Sequence, residues 1–308
     1  MDFENRYIDK LVINLEFSDD HDKKIFRADE IVRELWKYIS VGAYESVIEK
    51  SNEALKLNPN NATAYNQRGI AYSNLKNFSA ALESFNKSIE LAPKYAMAYY
   101  NRGNTHAEMQ NFISSVADYT KSIELAPYFA PAYYNRGNSQ GSLRNYRAAI
   151  SDYTKSIQLN PRNFETYNNR GNVYVSMKNY VEAIEDYTKC IQLNPNYSAA
   201  YNNRGLAYSY LEEYDLAMAD FNFALRLNPK DAAPYNNRAL VYYILEDYFA
   251  AIMDSTKAIK LNPNFLKAYE LRGRCYQAVG MEERAQADFF QADKLGTRKQ
   301  NFFMGEFL

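Results

Sequence analysis

Two cysteines and two histidines in 308 residues leave little from which to build a disulfide framework or a metal centre. Cys190 and Cys275 lie far apart in sequence, and so do His21 and His106, so no zinc-ligand spacing forms. Scattered thiols fit a reducing compartment, and a cytoplasmic location is expected. The first residues, MDFENRYIDK, lack the basic segment and apolar run of a secretory signal. No stretch reaches the roughly 20 apolar residues of a membrane-spanning helix, so no membrane association is expected. Charge of one sign is missing as well: 36 Lys and Arg face 37 Asp and Glu, a formal net charge of -1. That balance removes the bulk attraction that draws basic proteins to nucleic acid or anionic lipid. The 11 glycines occur singly, so no glycine-rich loop is present to cradle a phosphate. Nothing resembles a catalytic constellation. The chain is expected to be no enzyme and to need neither cofactor nor metal.

What is abundant is repetition. Tyr65, Tyr99, Tyr133, Tyr167, Tyr201, Tyr235 and Tyr269 are spaced by 34 residues. Gly69, Gly103, Gly137, Gly171, Gly205 and Gly273 keep the same step, with Ala239 in the one gap. Pro59, Pro93, Pro127, Pro161, Pro195, Pro229 and Pro263 follow suit. So strict a period predicts a solenoid. Residues 164–197, FETYNNRGNVYVSMKNYVEAIEDYTKCIQLNPNY, show one unit. Tyr167, Gly171 and Tyr174 fall on one helical face, and Lys178-Asn179 make a polar break. Ala183, Tyr187, Cys190 and Ile191 repeat the helical spacing until Asn194-Pro195 ends it. Gly171 and Ala183 are small where the two helices must cross.

This pattern resembles the tetratricopeptide repeat, W-x2-L-G-x2-Y, then A-x3-F, then P, with Tyr167 standing for the tryptophan. The resemblance implies an all-α solenoid, a right-handed superhelix of antiparallel helix pairs. Eight units are expected at 28–61, 62–95, 96–129, 130–163, 164–197, 198–231, 232–265 and 266–299. The first is degenerate, with Ile31 and Leu35 at the tyrosine and glycine positions, and the last has Thr297 for proline. Residues 1–27 form an N-terminal segment or cap, in which 7–17 (YIDKLVINLEF) would pack on the first unit and 18–24 (SDDHDKK) read as a solvated link. Gly296 is expected to end the last helix. Phe302, Phe303, Met304, Phe307 and Leu308, in the apolar tail 300–308, would then fold back as a cap or enter a second molecule.

The family has leucine before the glycine; here the residue is Arg68, Arg102, Arg136, Arg170, Arg204, Arg238 or Arg272. A half-buried guanidinium needs an acceptor. Sixteen residues on stand Asp118, Asp152, Asp186, Asp220, Asp254 and Asp288, with Ser84 in the second unit. The first unit has Glu34 and Lys50 at these two positions, a charge swap that predicts pairing within a unit. The arginines therefore read as helix-to-helix clamps rather than a phosphate-binding row.

The family's first helices line a concave face through positions two, five, six, nine, twelve and thirteen. Position six here is Gln67, Asn101, Asn135, Asn169, Asn203 and Asn237. Position five adds Asn66, Tyr100, Tyr134, Asn168, Asn202 and Asn236, and position nine adds Asn104, Asn138 and Asn172. A carboxamide offers the inventory of a peptide group, so such a row suits the main chain of an extended peptide. It is similar to the asparagine ladder in the repeats of the transferase that attaches N-acetylglucosamine to proteins. Adjacent helices about 8–10 Å apart would span roughly three extended residues per rung. Five rungs would give an affinity on the order of micromolar.

The expected function is therefore a non-enzymatic protein-protein interaction scaffold. The alternative for the row itself is a soluble word copied by duplication. An alternative for the protein is self-assembly or complex assembly through its ends or convex face, including association through the tail. Trp36 maps to an inward position of the first unit, where it could anchor a ligand or the N-terminal segment. A chaperone carboxylate clamp is not expected, because units three to five hold Tyr100, Asn104, Asn135, Glu165 and Asn169, without the family's two lysines and arginine. Nucleic acid is disfavoured by Glu108 and Glu165, the charges at inward positions of units two to seven.

Overall fold

The computed structural model describes residues 20–304, with side chains over 20–296. Sixteen helices follow one another: α1 Asp20–Ser40, α2 Tyr44–Leu57, α3 Ala62–Asn74, α4 Phe78–Leu91, α5 Ala96–Glu108, α6 Phe112–Leu125, α7 Ala130–Ser142 and α8 Tyr146–Leu159. The series continues with α9 Phe164–Ser176, α10 Tyr180–Leu193, α11 Ser198–Tyr210, α12 Tyr214–Leu227, α13 Ala232–Ile244, α14 Tyr248–Leu261, α15 Leu266–Ala278 and α16 Glu282–Met304. They fall into two compact bodies, Met1–Leu159 and Asn160–Leu308. Within each body the odd-numbered helix of a pair packs on the even-numbered one that follows. The even-numbered helix packs in turn on the next odd-numbered helix, and successive odd-numbered helices also touch. Each body is thus a solenoid of helix pairs.

Local chemistry explains the boundaries. Six of the tight turns inside a pair place a non-glycine residue in the left-handed region: Lys76, Gln110, Arg144, Lys178, Glu212 and Glu246, at φ from 59° to 64°. The first and last pairs use Gly42 and Gly280 there. Between pairs, Asn58, Asn160, Asn194, Asn228 and Asn262 accept at Oδ1 from the backbone N–H two residues on, over the proline. Where the helices of a pair cross, Gly69, Gly103, Gly137, Gly171 and Gly205 leave room for a ring of the second helix. Beside them sit the buried rings of Phe85, Tyr119, Tyr153, Tyr187 and Phe221.

Two expectations about the ends are corrected. Of the stretch expected as a solvated link, 18–24, the described residues 20–24 already belong to α1. Asp20 and Asp22 lie in its positive first turn, and Lys24 pairs with Asp20 at 2.6 Å. Gly296 does not end the last helix, which runs on to Met304. Elsewhere a proline follows this position and stops the helix, whereas Thr297 keeps its N–H and lets it continue. The packing expected of 7–17 and the cap expected of Phe302, Phe303, Met304, Phe307 and Leu308 lie outside the described residues and side chains.

Burial holds the phenols of Tyr119, Tyr153 and Tyr187 well above their ordinary range. A raised folded-state pKa favours the neutral form, so its stabilisation is complete below about pH 10 and lost as pH rises beyond it. In an alkaline titration the last phenolate absorbance at 295 nm should therefore appear together with loss of helical circular dichroism. Full ionisation with the helices intact would contradict this assignment.

Candidate functional site

The arginine side chains sit between the helices of a pair, as their spacing predicts. Arg170 donates from Nε and Nη2 to both oxygens of Asp186, at 2.8 and 2.7 Å. Arg102–Asp118, Arg136–Asp152, Arg204–Asp220, Arg238–Asp254 and Arg272–Asp288 repeat the fork at 2.6–2.9 Å. The bond to Asp220 is the largest influence holding the Arg204 guanidinium above its ordinary pKa. Each arginine also lies over the tyrosine three residues before it, 4.9–5.9 Å from the ring centroid. The tyrosine at the family's tryptophan position thus has two partners. It is an aromatic floor for a cation, and the hydroxyls of Tyr99, Tyr133 and Tyr167 reach the carbonyls of Pro93, Pro127 and Pro161.

The same arginines have a further partner that the sequence reading missed. Nη1 of Arg68, Arg102, Arg136, Arg204, Arg238 and Arg272 donates to Asn52, Asn86, Thr120, Thr188, Asn222 and Thr256, on the second helix of the preceding pair. The signal was available: a column of asparagine or threonine sixteen residues before each arginine. The charge swap in the first pair, in contrast, does not form a clamp. Glu34 lies 3.8 Å from Lys37 on its own helix, and Lys50 sits over the Tyr38 ring at 5.2 Å. Without a guanidinium fork, the exposed carboxylate turns to the nearer cation.

The asparagines bond chiefly to one another. Asn101 Nδ2 donates to Asn66 Oδ1 at 3.0 Å, and Asn237 Nδ2 to Asn202 Oδ1 at 2.9 Å. Asn135 Nδ2 donates both to the Tyr100 hydroxyl at 3.1 Å and to Asn104 Oδ1 at 2.9 Å. Asn203 Nδ2 likewise serves Asn168 and Asn172, at 3.2 and 3.1 Å. A rung therefore joins the sixth position of one first helix to the fifth and ninth positions of the preceding one. The fifth-position asparagines are the uprights of this ladder. Asn168, Asn202 and Asn236 are only 4%, 9% and 7% exposed, which corrects their expected place on the binding surface. Asn168 and Asn202 also steady Asn169 and Asn203 through their own Nδ2 groups. Tyr134, Asn138 and Asn169 are partly buried and engaged.

The ninth position is set by the second helix. Tyr119, Tyr153 and Tyr187 each donate their hydroxyl to Asn104, Asn138 and Asn172, at 2.7–2.8 Å. Where the ring is Phe85 or Phe221, the ninth position is Ile70 or Leu206 instead. The ladder also ends where its partners do. Gln67 Oε1 and Asn236 Oδ1 are buried without a hydrogen-bond partner. Leu271 replaces the asparagine that would donate to Asn236, and Val32, at the fifth position before Gln67, offers no acceptor to its amide nitrogen.

On the first-helix face of the first body, a cavity of about 330 Å³ is lined by Asn104, Glu108, Tyr119, Asn135, Asn138 and Ser142, among others. Lys76 neutralises Glu108 at 2.8 Å. Trp36, at the ninth position of the first unit, is 61% exposed. His106 Nε2 lies 3.8 Å from Asp118, and burial holds this imidazole below its ordinary pKa. Cys190 and Cys275 are buried thiols pushed up to about 12 and about 11, so neither is a nucleophile at neutral pH. Among the described residues no group of His, Cys, Asp and Glu could hold a metal ion, and no helix is long and apolar enough to cross a membrane.

Among curated proteins, none matches this sequence. Solved structures do. The MamA protein is 28% identical over 55% of this chain and 92% of its own, with a TM-score of 0.52. YrrB, described as a TPR protein with an unusual peptide-binding site, is 26% identical over 61% of this chain and 97% of its own, with a TM-score of 0.51. A tetratricopeptide repeat protein from Parabacteroides merdae has the same fold at 23% identity, covering 82% of this chain and 93% of its own, with a TM-score of 0.63. Tetratricopeptide repeat models match residues 62–95, 130–163, 164–197 and 198–231, and a second such model matches 96–129 and 232–265. With two thirds of its length matched and its helices paired in tandem, the chain belongs to the tetratricopeptide repeat family.

Proposed function

We propose that the protein is a scaffold that holds extended segments of partner protein along the face of the first helices within each body. The observation that carries this reading is the polarity of the rungs. Both Nδ2 hydrogens of Asn135 are used within the ladder, and its Oδ1 has no partner among the described residues. Asn104 Oδ1 accepts twice, from Tyr119 and Asn135, so its Nδ2 is the donor side: one hydrogen meets the Tyr100 hydroxyl and the other is left for a ligand. An acceptor and a donor side by side match the N–H and C=O of an extended main chain. Asn172, whose Oδ1 accepts from Tyr187 and Asn203, offers its Nδ2 in the same way. The peptide-binding site named for YrrB lends family support.

The test uses peptides selected from a random twelve-residue library displayed on phage. Asn104→Asp in the first body and Asn172→Asp in the second, each made alone, keep every bond these residues accept but turn a donor into an acceptor. Helicity and melting temperature should hold, while peptide affinity should fall at least tenfold, about 1.4 kcal/mol. Unchanged affinity, or no selected peptide at all, would overturn the groove. A second reading, assembly through the second helices, has its own observation in Phe249 and Met253. These are exposed side by side on α14 at 65% and 74%. Phe249→Asp should reduce a higher-mass species in sedimentation if that reading is right.

A further inference from the structure

The first helices of the second body change character along the array. On α9 the ninth and thirteenth positions are polar, Asn172 and Ser176. On α11 they become Leu206 and Tyr210, and on α13 Leu240 and Ile244. Tyr210, Leu240 and Ile244 remain 53%, 38% and 45% exposed, although each stands on a helix whose core positions are well covered. Tyr210 is fixed by stacking on Tyr180, with centroids 4.8 Å apart and planes at 17°. Four apolar side chains at equivalent positions of two touching helices form one patch beside the rungs of Asn203 and Asn237. On the next helix, α15, the ninth position is Arg274 and the second is Lys267. Both are exposed, and neither has a hydrogen-bond or ion-pair partner among the described residues. Glu270 lies between them, leaving these three residues one net positive charge.

Resting on the peptide-binding reading above, we infer that the segment held by α11, α13 and α15 carries a bulky apolar side chain followed, about three residues on, by a carboxylate. The spacing comes from the helices. Adjacent first helices are about 8–10 Å apart, and an extended chain advances about 3.3–3.6 Å per residue. The apolar side chain would cover Leu206, Tyr210, Leu240 and Ile244, the kind of aromatic and aliphatic surface that anchors interfaces. One helix further, the Arg274 guanidinium would fork onto the carboxylate, as the clamp arginines do within the pairs. The carboxylate is either an acidic side chain or the end of the partner's chain.

The displayed twelve-residue library decides this too. Selected peptides should share a Leu, Ile, Met or aromatic residue with Asp, Glu or a terminal carboxylate about three positions later. Synthetic versions with free and amidated C-termini, followed by fluorescence anisotropy, separate the two sources. Arg274→Glu should weaken the acidic peptide at least tenfold and strengthen a version with lysine in place of the acid. Leu240→Ser should weaken both versions alike. Peptides that depend on Asn172 but are indifferent to Arg274, or selected without any acid, would overturn this inference and leave the groove standing. A library that yields no binder would remove both.

Discussion

Alanine at Asp186 is expected to be among the most damaging single substitutions in the chain, lowering stability by about 3–5 kcal/mol. The carboxylate is 7% exposed and accepts two bonds from Arg170, whose side chain is 17% exposed above Tyr167. Removing it leaves a charge that water reaches poorly and that cannot shed its proton. The comparison is Glu90→Ala, which breaks an equally short contact with Lys87, at 2.6 Å, between exposed side chains. That change should scarcely move the denaturation midpoint. Because repeats couple chiefly to their neighbours, hydrogen exchange should show the Asp186 loss concentrated in α9, α10 and α11. A midpoint as little affected as that of Glu90→Ala would mean that the forks are decoration.

Gly171→Ala should also destabilise, although alanine is the better helix former by about 1 kcal/mol. A Cβ built at Gly171 would lie 2.7 Å from Cε1 of Tyr187, a ring pinned in the core and hydrogen-bonded through its hydroxyl. Overpacking of that kind costs about 1–3 kcal/mol and outweighs the propensity gain. The chain contains its own control. Ala239 breaks the glycine column, and the residue that would meet its methyl is Ser255, where other units have Phe or Tyr. Leu35 and Ser51 make the same exchange in the first unit. Ser255→Tyr alone should therefore destabilise, and Ala239→Gly should recover much of the loss when combined with it. Purely additive effects in that cycle would show that the two positions do not share space.

The solenoid could be read from the sequence because its evidence is a period, which tolerates errors at any one position. The clamps could be read because two complementary charges recur at a fixed offset. Depth was harder. A helical face says which residues share a direction, but not that Asn168 and Asn202 lie beneath Asn203 and Asn237 while the latter reach the surface. The role of Asn104, Asn138 and Asn172 was visible only as a correlation. Asparagine appears there when the residue fifteen positions on is tyrosine, and not when it is phenylalanine. The Glu34 and Lys50 pairing failed because exchanging the two charges keeps the attraction but not the reach. The helix running through Gly296 was missed because a glycine was weighed without the absent proline beside it.

The arginine's two sets of partners have a consequence for how such a chain can change length. In the six arginines named above, Nη1 reaches a residue sixteen positions before it, and in five of these the carboxylate lies sixteen positions after. Both offsets are shorter than the 34-residue step, so any cut made once per step is healed by the next copy. Excising or inserting 34 residues starting anywhere in the regular array restores a donor and its acceptors at the new junction. A gene carrying this pattern can gain or lose units by unequal exchange without the joint having to fall between domains, and each product inherits a bonded seam.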